Sequence, residues 1–301
     1  MPYLSHPTPQ LSLIYPEDWQ DYELVDSGNG QKLERFGPYT FVRPEPQAIW
    51  TPTLNEKRWS SAHAVFQPTR EESGGFWQFI RPIEASWVMH RKNLSFKVQT
   101  TSGRHLGVFP DQAVHWDWIS EQVRRSSRPL HVLCLFGYTG IACLTAAEAG
   151  AKVTYVDASK KALDWARQNQ ALSGLSDRPI RWLLDDALKF VQREARRGVQ
   201  YEGMILDPPK FGRGPKGEVW DFFELFPKLL RACREILSPN PRFMVITAYA
   251  IRASALCLHY GLQEMMKGFQ GVITSGELAV REKSAGRLIS TAIFSRWHSI
   301  E

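Results

Sequence analysis

The stretch Met204-Ile205-Leu206-Asp207-Pro208-Pro209-Lys210-Phe211 joins a short apolar run to a carboxylate and two prolines. The apolar run predicts a buried strand that ends at Asp207. Because proline fixes its own φ and cannot donate to a strand ladder, Pro208 and Pro209 stiffen the backbone just past that strand. The carbonyls of Asp207 and Pro208 are left free, so the element can hold an amino group or the N–H edge of a heterocycle. An acidic strand end followed by an ordinary turn is the alternative interpretation.

Strands and helices alternate on both sides of this element from about residue 116 onward. Alternation with this spacing indicates a parallel sheet covered by helices on both faces and wound doubly by right-handed crossovers. The predicted strands cover residues 131–136, 152–156, 180–184, 201–206, 242–247, 272–280 and 288–296. The predicted helices cover residues 141–149, 160–172, 187–197, 219–236 and 254–266.

The first part of the chain has a different pattern, rich in Pro, Gly and Trp with short β-like runs. The segment Ser27-Gly28-Asn29-Gly30 is typical of a hairpin turn between two strands. Two further runs, residues 94–98 and 105–109, predict strands that pair across a turn at residues 101–103. We therefore expect a β-rich domain over residues 1–94, a connecting β-hairpin over residues 95–115 and the doubly wound domain over residues 116–301.

Composition and charge narrow the class of protein. The chain of 301 residues is 43% hydrophobic and 23% charged, values that are typical of soluble globular proteins. No apolar run has the length of a membrane span and the first residues do not resemble a secretory signal, so we expect a cytoplasmic protein. The four cysteines form no metal-binding pattern, and no metal is expected. The net charge of +6 comes entirely from residues 111–301, which favours a polyanionic partner.

Glycines and carboxylates stand at the ends of successive predicted strands, where ligands bind in doubly wound sheets. The turn Gly137-Tyr138-Thr139-Gly140 allows close approach of a ligand to the backbone at a helix N-terminus. It matches neither a dinucleotide fingerprint nor a nucleotide phosphate loop. Asp157 ends the second strand, where a carboxylate accepts hydrogen bonds from a ribose diol, and Asp186 ends the third. Capping of the following helix is the alternative role for both carboxylates.

These residues together resemble the class I S-adenosylmethionine-dependent methyltransferases. The nearer likeness is to the bacterial 23S ribosomal RNA methyltransferases that target cytosine C5 or guanine N7, and to their uncharacterised relatives. The likeness covers residues 95–301 and implies a Rossmann-like α/β methyltransferase sheet, with S-adenosylmethionine as the cofactor. The segments that carry it are Leu135 to Gly140, Val156 to Ser159, Asp186-Ala187, Asp207 to Phe211, Trp165 to Asn169 and His105 to Gln112.

The resemblance also implies a role for each segment. Phe136, Gly137, Tyr138, Thr139 and Gly140 would surround the methionine part of the cofactor. Asp157 with Ala158 would hold the ribose hydroxyls, and Asp186 with Ala187 the adenine amine. Asp207, Pro208, Pro209 and Phe211 would face the methyl group and the target base. The family's usual acidic residue in the first strand is here Cys134, so Asp111 would replace it as acceptor for the cofactor's ammonium.

The cysteine positions bear on the atom that is methylated. Carbon-5 methylation of a pyrimidine needs a cysteine nucleophile, which in the resembling group follows the fifth strand or the two prolines. Thr247-Ala248-Tyr249 and Lys210 occupy those places here. A base nitrogen, which attacks the methyl group in line, is therefore the expected target.

The acceptor is expected to be RNA, and ribosomal RNA in particular. Residues 210–217 carry three cations and three glycines, which is typical of a mobile loop that contacts phosphates. An ordinary solvated loop is the alternative. A protein or small-molecule acceptor, or a non-catalytic RNA-binding protein that keeps the fold, are the other functions compatible with the sequence.

Overall fold

Short strands are the main regular structure of the first hundred residues in the computed structural model, which describes residues 8–69 and 74–300. Strand β1 is followed by one short helix and seven further strands, which form two small sheets. Their bounds are β1 Leu11–Ile14, β2 Tyr22–Gly28, β3 Gln31–Phe36, β4 Tyr39–Pro44, α1 Glu56–Ser60, β5 Ala64–Pro68, β6 Gly75–Phe79, β7 Trp87–Arg91 and β8 Leu94–Val98. Strands β2 to β6 form one sheet in sequence order, called here the N-terminal sheet, and β7 pairs with β8.

The rest of the chain alternates strands with helices, as predicted. A 3-10 turn at Pro110–Gln112 leads into the first long helix. The elements are α2 Ala113–Arg124, β9 His131–Leu135, α3 Ile141–Glu148, β10 Lys152–Asp157, α4 Lys160–Leu172, β11 Ile180–Leu184, α5 Ala187–Arg196, β12 Gly203–Leu206, β13 Phe211–Arg213, β14 Val219–Asp221, α6 Phe222–Glu235, β15 Phe243–Ala248, α7 Ala255–Met265, β16 Gly271–Arg281 and β17 Leu288–Ser299.

The large sheet has the order β1-β16-β17-β15-β12-β9-β10-β11. Strands β9, β10, β11, β12 and β15 are parallel, whereas β17 runs antiparallel to both of its neighbours. The chain leaves β9 toward β10 on one side and returns to β12 on the other, so the order reverses at β9. The predicted doubly wound α/β fold with a β-rich N-terminal part is confirmed, and such a reversal is where ligands bind.

Side chains of the central strands alternate between two cores, as the strand period of two requires. Leu133 and Leu135 face α5, α6 and α7, while Val132 and Cys134 face α2, α3 and α4. Both faces of the strands are apolar because helices cover both.

The expected hairpin between residues 94–98 and 105–109 is wrong. Strand β8 pairs with β7 instead, and residues 105–109 form no strand. Gly107 breaks the extended run with φ of 93°, and a Cβ there would lie 2.2 Å from the Trp165 ring. Pro110 then begins the 3-10 turn. The domain boundaries at residues 94 and 115 stay a prediction.

The predicted loop at residues 210–217 and the start of the next helix also differ. Phe211–Arg213 pairs with Val219–Asp221 in a small antiparallel hairpin. The helix therefore begins at Phe222, where the Asp221 side chain accepts a hydrogen bond from Glu224 N.

The turn between β16 and β17 is hydrogen-bonded to β2 of the N-terminal sheet. Backbone N–H groups of Lys283 and Ser284 donate to the carbonyls of Leu24 and Val25 at 2.8 and 3.2 Å. The Ser27 hydroxyl donates to the buried Glu282 carboxylate at 2.5 Å. These bonds hold the N-terminal sheet over one end of the large sheet. Within residues 8–69 and 74–300, no helix combines the length and apolarity that crossing a bilayer requires.

Candidate active site

A cavity of about 820 Å³ opens at the carboxyl ends of the parallel strands. One part of its wall consists of residues at the ends of β9, β10, β11, β12 and β15 in the large sheet, and another part belongs to β3 and β4 of the N-terminal sheet. The cavity therefore lies at the reversal of strand order, where the sequence predicted a ligand.

The turn after β9 is held in an unusual backbone conformation. Phe136, Tyr138 and Gly140 have φ of 58°, 47° and 82°. Residues other than glycine rarely adopt this left-handed backbone region, and those that do cluster at functional sites. Phe136 and Tyr138 line the cavity, whereas Gly137, which has no positive φ, packs against the Tyr155 ring.

Thr139 and Gly140 pack on the side of this turn away from the cavity and do not line it. The buried Thr139 hydroxyl donates to Gly107 O at 2.8 Å. Gly140 lies where a Cβ would come within 2.7 Å of Ala166 Cβ, so only glycine fits the close approach to α4. Contact of Gly137, Thr139 and Gly140 with a cofactor stays a prediction.

Asp157 lines the cavity at the end of β10 and also fixes the turn. Its Oδ2 accepts from Tyr138 N at 2.9 Å and its Oδ1 from Ser159 N at 2.8 Å. A carboxylate has about four acceptor sites, so these two bonds leave acceptor capacity for a diol. Burial raises the pKa of Asp157, although the backbone donors at Ser159 and Tyr138 oppose that rise. The neighbouring Ala158 also lines the cavity.

Asp186 and Ala187 line the cavity at the end of β11. Asp186 Oδ1 accepts from Lys189 N at 2.9 Å, so this carboxylate caps α5, as the alternative interpretation held. Its neighbour Asp185 forms an ion pair with Arg193. The cap occupies one lone pair of Asp186, and a role toward an adenine amine stays a prediction.

The Asp-Pro-Pro element forms the cavity floor beside β12. Asp207 N donates to Leu135 O at 3.3 Å, which ties the strand end to β9. The indole N–H of Trp220 donates to Pro209 O at 2.6 Å. Trp220 also packs on Phe136 with ring centroids 4.8 Å apart, so one residue of β14 links the two prolines to the turn after β9. Asp207, Pro208 and Pro209 all line the cavity.

The pKa of Asp207 is raised by its surroundings. Burial is the largest cause, and together with the nearby charges of Asp111 and Asp157 it raises this pKa to about 8. The Gln112 side-chain amide donates to Asp207 Oδ2 at 3.2 Å. Asp111 is itself buried, and burial raises its pKa as well. Asp111, Asp157 and Asp207 thus form an acidic cluster that suits a cationic ligand.

Asp111 lines the cavity at the 3-10 turn, and its role toward the cofactor's ammonium stays a prediction. Cys134 does not line the cavity, because its side chain packs with Cys143 in the core between the large sheet and helices α2, α3 and α4. Cys233 is buried in α6 and Cys257 is exposed on α7. None of the four cysteines lies in the cavity wall.

Phe211 does not line the cavity, and its side chain is 63% exposed. Lys210 separates it from the prolines, and the chain enters β13 at this point. Gly212 and Arg213 line the cavity instead. Stacking of Phe211 on a target base stays a prediction.

Several residues at the site have no signal in the sequence. Tyr249 follows β15 and lines the cavity, and Gln112 lies in the 3-10 turn and donates to Asp207. The wall formed by the N-terminal sheet carries Lys32, Glu34, Arg43 and Glu45. Alternating polar residues on short strands look like any solvated face, so only tertiary structure brings them to the site.

Comparisons with known proteins agree with this geometry. The model of the S-adenosylmethionine-dependent methyltransferase family matches residues 43–265. A crystal structure described as the SAM-dependent methyltransferase from Agrobacterium tumefaciens is 48% identical, covers 97% of this chain and 96% of its own, and has a TM-score of 0.91. The structure of SMU.776, complexed with SAH, has 19% identity and a TM-score of 0.68 over 89% of this chain and 71% of its own, which shows the shared fold.

Curated relatives match over shorter regions. Ribosomal RNA large subunit methyltransferase K/L of Shewanella frigidimarina is 30% identical over 57% of this chain and 24% of its own length. Ribosomal RNA large subunit methyltransferase I of Aeromonas salmonicida is 28% identical over 68% of this chain and 48% of its own. The matched region thus spans about a quarter of the first relative and about half of the second.

The chain belongs to the S-adenosylmethionine-dependent methyltransferase family, as its sequence predicted. The cavity fits the cofactor in size and in chemistry. The acidic cluster suits a cationic ligand, and carboxylates end β10 and β11, where doubly wound sheets bind ligands. The part of the cofactor that each of these residues contacts stays a prediction.

Proposed function

We propose that this methyltransferase transfers a methyl group to a nitrogen of a base in RNA, and that ribosomal RNA is its substrate. The names of the relatives support RNA as the acceptor, since two kinds of ribosomal RNA methyltransferase match this chain. The basic surplus of residues 111–301 supports it as well, because phosphate contacts dominate the affinity of proteins for nucleic acids.

The main support for a nitrogen as the methylated atom is the environment of the Asp207 carboxyl group. The carboxyl group stands on a backbone stiffened by Pro208 and Pro209, and the Gln112 amide orients it. Its pKa of about 8 lies near neutral pH, where a group can both hold and accept a proton. A base with an N–H edge needs a hydrogen-bond acceptor that fixes this edge and receives its proton.

In this proposal the residues of the cavity have separate roles in binding and in proton transfer. Asp157 and Asp186 hold the two ends of the adenosine, and Asp111 accepts the methionine ammonium. When bound, S-adenosylmethionine supplies an electrophilic methyl group, which the attacking nitrogen takes with cleavage of the carbon–sulfur bond. Beside a bound sulfonium, Asp207 would be favoured in its ionised form. Asp207 then accepts the proton that the methylated nitrogen loses, and the carbonyls of Asp207 and Pro208 fix the base edge.

The cysteine positions support nitrogen over carbon-5. A carbon-5 mechanism needs a thiolate that attacks the ring, and all four cysteines lie outside the cavity wall. Three are buried, and burial raises the thiol pKa of Cys143 and Cys233, which disfavours the thiolate. Positioning and electrostatics are sufficient for an amine or ring nitrogen to attack.

The test is incorporation of label into RNA. Purified protein is incubated with methyl-labelled S-adenosylmethionine and ribosomal RNA from a strain lacking the protein, and the RNA is digested to nucleosides. We expect a labelled N-methyl nucleoside, and loss of the label with Asp207→Asn but not with Asp177→Asn, a matched change at an exposed carboxylate. Labelled 5-methylcytidine would overturn the nitrogen target. Label in protein, or no label with cofactor binding intact, would overturn RNA as the acceptor.

A further inference from the structure

The wall of the cavity that belongs to the N-terminal sheet carries a network of buried charges. Arg43 lies against the Glu34 carboxylate, with Nη2 and Nε both within 2.8 Å of Oε2. Lys32 Nζ lies 3.3 Å from Glu45 Oε2 and 3.8 Å from Glu34 Oε1. Glu34 is 1% exposed and Arg43 6%. Burial raises the pKa of Glu34, but Arg43 and Lys32 outweigh that effect and lower it, so the Glu34 carboxylate stays ionised at neutral pH.

Buried ions of this kind are a poor source of stability. Desolvation of such a network offsets most of its Coulombic attraction, and apolar residues of similar volume stabilise as well or better. Strands β3 and β4 already pair along their whole length by backbone hydrogen bonds. A charged network that also lines a cavity points instead to a ligand that it is arranged to meet.

Lys32 has hydrogen-bonding capacity left for such a ligand. An ammonium has three N–H donors, and the two nearby carboxylate oxygens do not exhaust them. The carboxylates fix the position of the ammonium beside the cavity. A fixed donor of this kind suits an acceptor atom on the edge of a base, such as a ring nitrogen or a carbonyl oxygen.

Two arginines stand at the rim of the same cavity. Arg104 comes from the segment after β8 and Arg213 from β13, and both are exposed. In the part of the chain that the structure describes, neither guanidinium has an ion-pair partner. Exposed guanidinium groups without carboxylate partners are suited to phosphates.

Aromatic side chains lie between the charged wall and the acidic cluster. The Phe109 ring centroid is 4.9 Å from that of Tyr249 and 5.0 Å from that of His105. Burial, with the charges of Arg43 and Arg104, lowers the pKa of His105 to about 3, so its ring is neutral under physiological conditions. Flat, uncharged rings of this kind are the surfaces on which extruded bases stack.

We propose that this side of the cavity is the acceptor-nucleotide subsite, in which Lys32 donates to the edge of the target base while Arg104 and Arg213 bind the flanking phosphates. The proposal rests on RNA being the acceptor and assigns to the N-terminal sheet the recognition of the base. The cofactor occupies the other side, so the two ligands meet near Asp207.

The test compares the KM for RNA and the Kd for S-adenosylmethionine between matched variants. Lys32→Met keeps the length of the side chain and removes its donors, and Lys57→Met is the control, since Lys57 is exposed on α1 and outside the cavity. We expect KM for RNA to rise by about tenfold or more with Lys32→Met, as for loss of a charge-assisted hydrogen bond. The Kd for S-adenosylmethionine, read by calorimetry, stays within about twofold, which also shows that the variant is folded.

The exposed arginines test the same subsite without touching the buried network. Arg104→Ala and Arg213→Ala each weaken RNA binding and reduce the slope of log K against log salt by about one. Arg196→Ala, a change at an exposed arginine of α5 outside the cavity, leaves the slope unchanged. The probe is the same unmethylated ribosomal RNA that serves as the acceptor in the methyl-transfer test, in the presence of saturating S-adenosylhomocysteine.

Each result separates this proposal from the one on which it rests. Normal RNA constants in Lys32→Met, Arg104→Ala and Arg213→Ala would overturn the subsite while methyl transfer to RNA still stands. A cofactor Kd raised tenfold by Lys32→Met, with KM for RNA unchanged, would assign this wall to the cofactor and overturn it as well. If the wild-type protein labels no RNA, the proposed function fails and the subsite fails with it.

Discussion

The Tyr249 hydroxyl donates to Asp111 Oδ2 at 2.5 Å, and this bond joins the end of β15 to the 3-10 turn before α2. The two residues lie far apart in sequence and meet in the cavity wall. Burial raises the pKa of both groups, and the hydrogen bond from Tyr249 opposes that rise at Asp111. The tyrosine therefore helps Asp111 to keep a negative charge where the cofactor's ammonium is expected.

Tyr249→Phe is expected to weaken cofactor binding. Without the hydroxyl donor the pKa of Asp111 rises further, and the loss of about 1.5 kcal/mol for a hydrogen bond to a charged group corresponds to about tenfold in Kd. Calorimetry with S-adenosylhomocysteine at pH 7 measures the change. Tyr260→Phe, at an exposed tyrosine of α7, is the matched control. Unchanged affinity in Tyr249→Phe would remove Asp111 from the ammonium site.

Asp157→Asn is expected to cost about 1.5–3 kcal/mol of cofactor binding, or about 10- to 150-fold in Kd. The amide oxygen can still accept from Tyr138 N or Ser159 N, so the turn after β9 is preserved better than with alanine. Asp164→Asn on the exposed side of α4 is the control. A Kd equal to that of the control would show that Asp157 only caps the turn.

Asp207→Asn is expected to stabilise the fold at alkaline pH while it abolishes methyl transfer. The folded-state pKa of about 8 lies above the ordinary 3.8, so the unfolded chain releases this proton first as pH rises. The stability that depends on a protonated Asp207 is complete below the ordinary pKa and is lost as pH rises through about 8.

Thermal unfolding of the wild type and Asp207→Asn at several pH values measures this effect. We expect no difference near pH 4 and a gain of about 2 kcal/mol for the variant near pH 8, a value discounted for the solvent that the cavity admits. Asp177→Asn, at an exposed carboxylate, should follow the wild type. Parallel pH curves for the wild type and Asp207→Asn would mean that Asp207 ionises normally in the folded protein.

Trp220→Phe is expected to lower methyl transfer more than Phe211→Ala does. The indole N–H holds Pro209 O, and its loss leaves a carbonyl of the rigid element without its donor. If the lost hydrogen bond stabilises the transition state by about 1 kcal/mol, kcat/KM falls roughly fivefold. Phe211 is exposed and outside the cavity wall, so truncating it tests stacking on a base separately. The opposite order of effects would assign the greater role to Phe211.

The sequence was sufficient to predict the doubly wound sheet and the ends of its strands. Long apolar runs such as residues 131–136 have one stable arrangement when helices flank them on both sides. Helix N-caps depend on local sequence too. Ser159 caps α4 and Asp186 caps α5, so the predicted starts of these two helices agree with the structure. Phe136 and Tyr138, in contrast, adopt positive φ that no local rule predicts, because tertiary contacts impose it.

The error at residues 105–109 has a similar cause. Alternating apolar residues favour a strand, but Gly107 needs a left-handed conformation to pass the Trp165 ring, and that contact joins distant parts of the chain. The charged wall at Lys32 and Glu45 was missed for the same reason. Which face of a short strand meets another domain depends on docking, and docking leaves no periodic signal in the sequence.

Strand β1 pairs in parallel with β16, with Leu11 opposite Ser275, so an edge of the large sheet is made from an early and a late part of the chain. During translation, residues 11–14 leave the ribosome long before their partner strand exists. The turn after β16 is also the segment that docks on β2. A nascent or prematurely terminated chain therefore lacks both its sheet edge and its closed cavity, and remains open to proteases until the last strands are made.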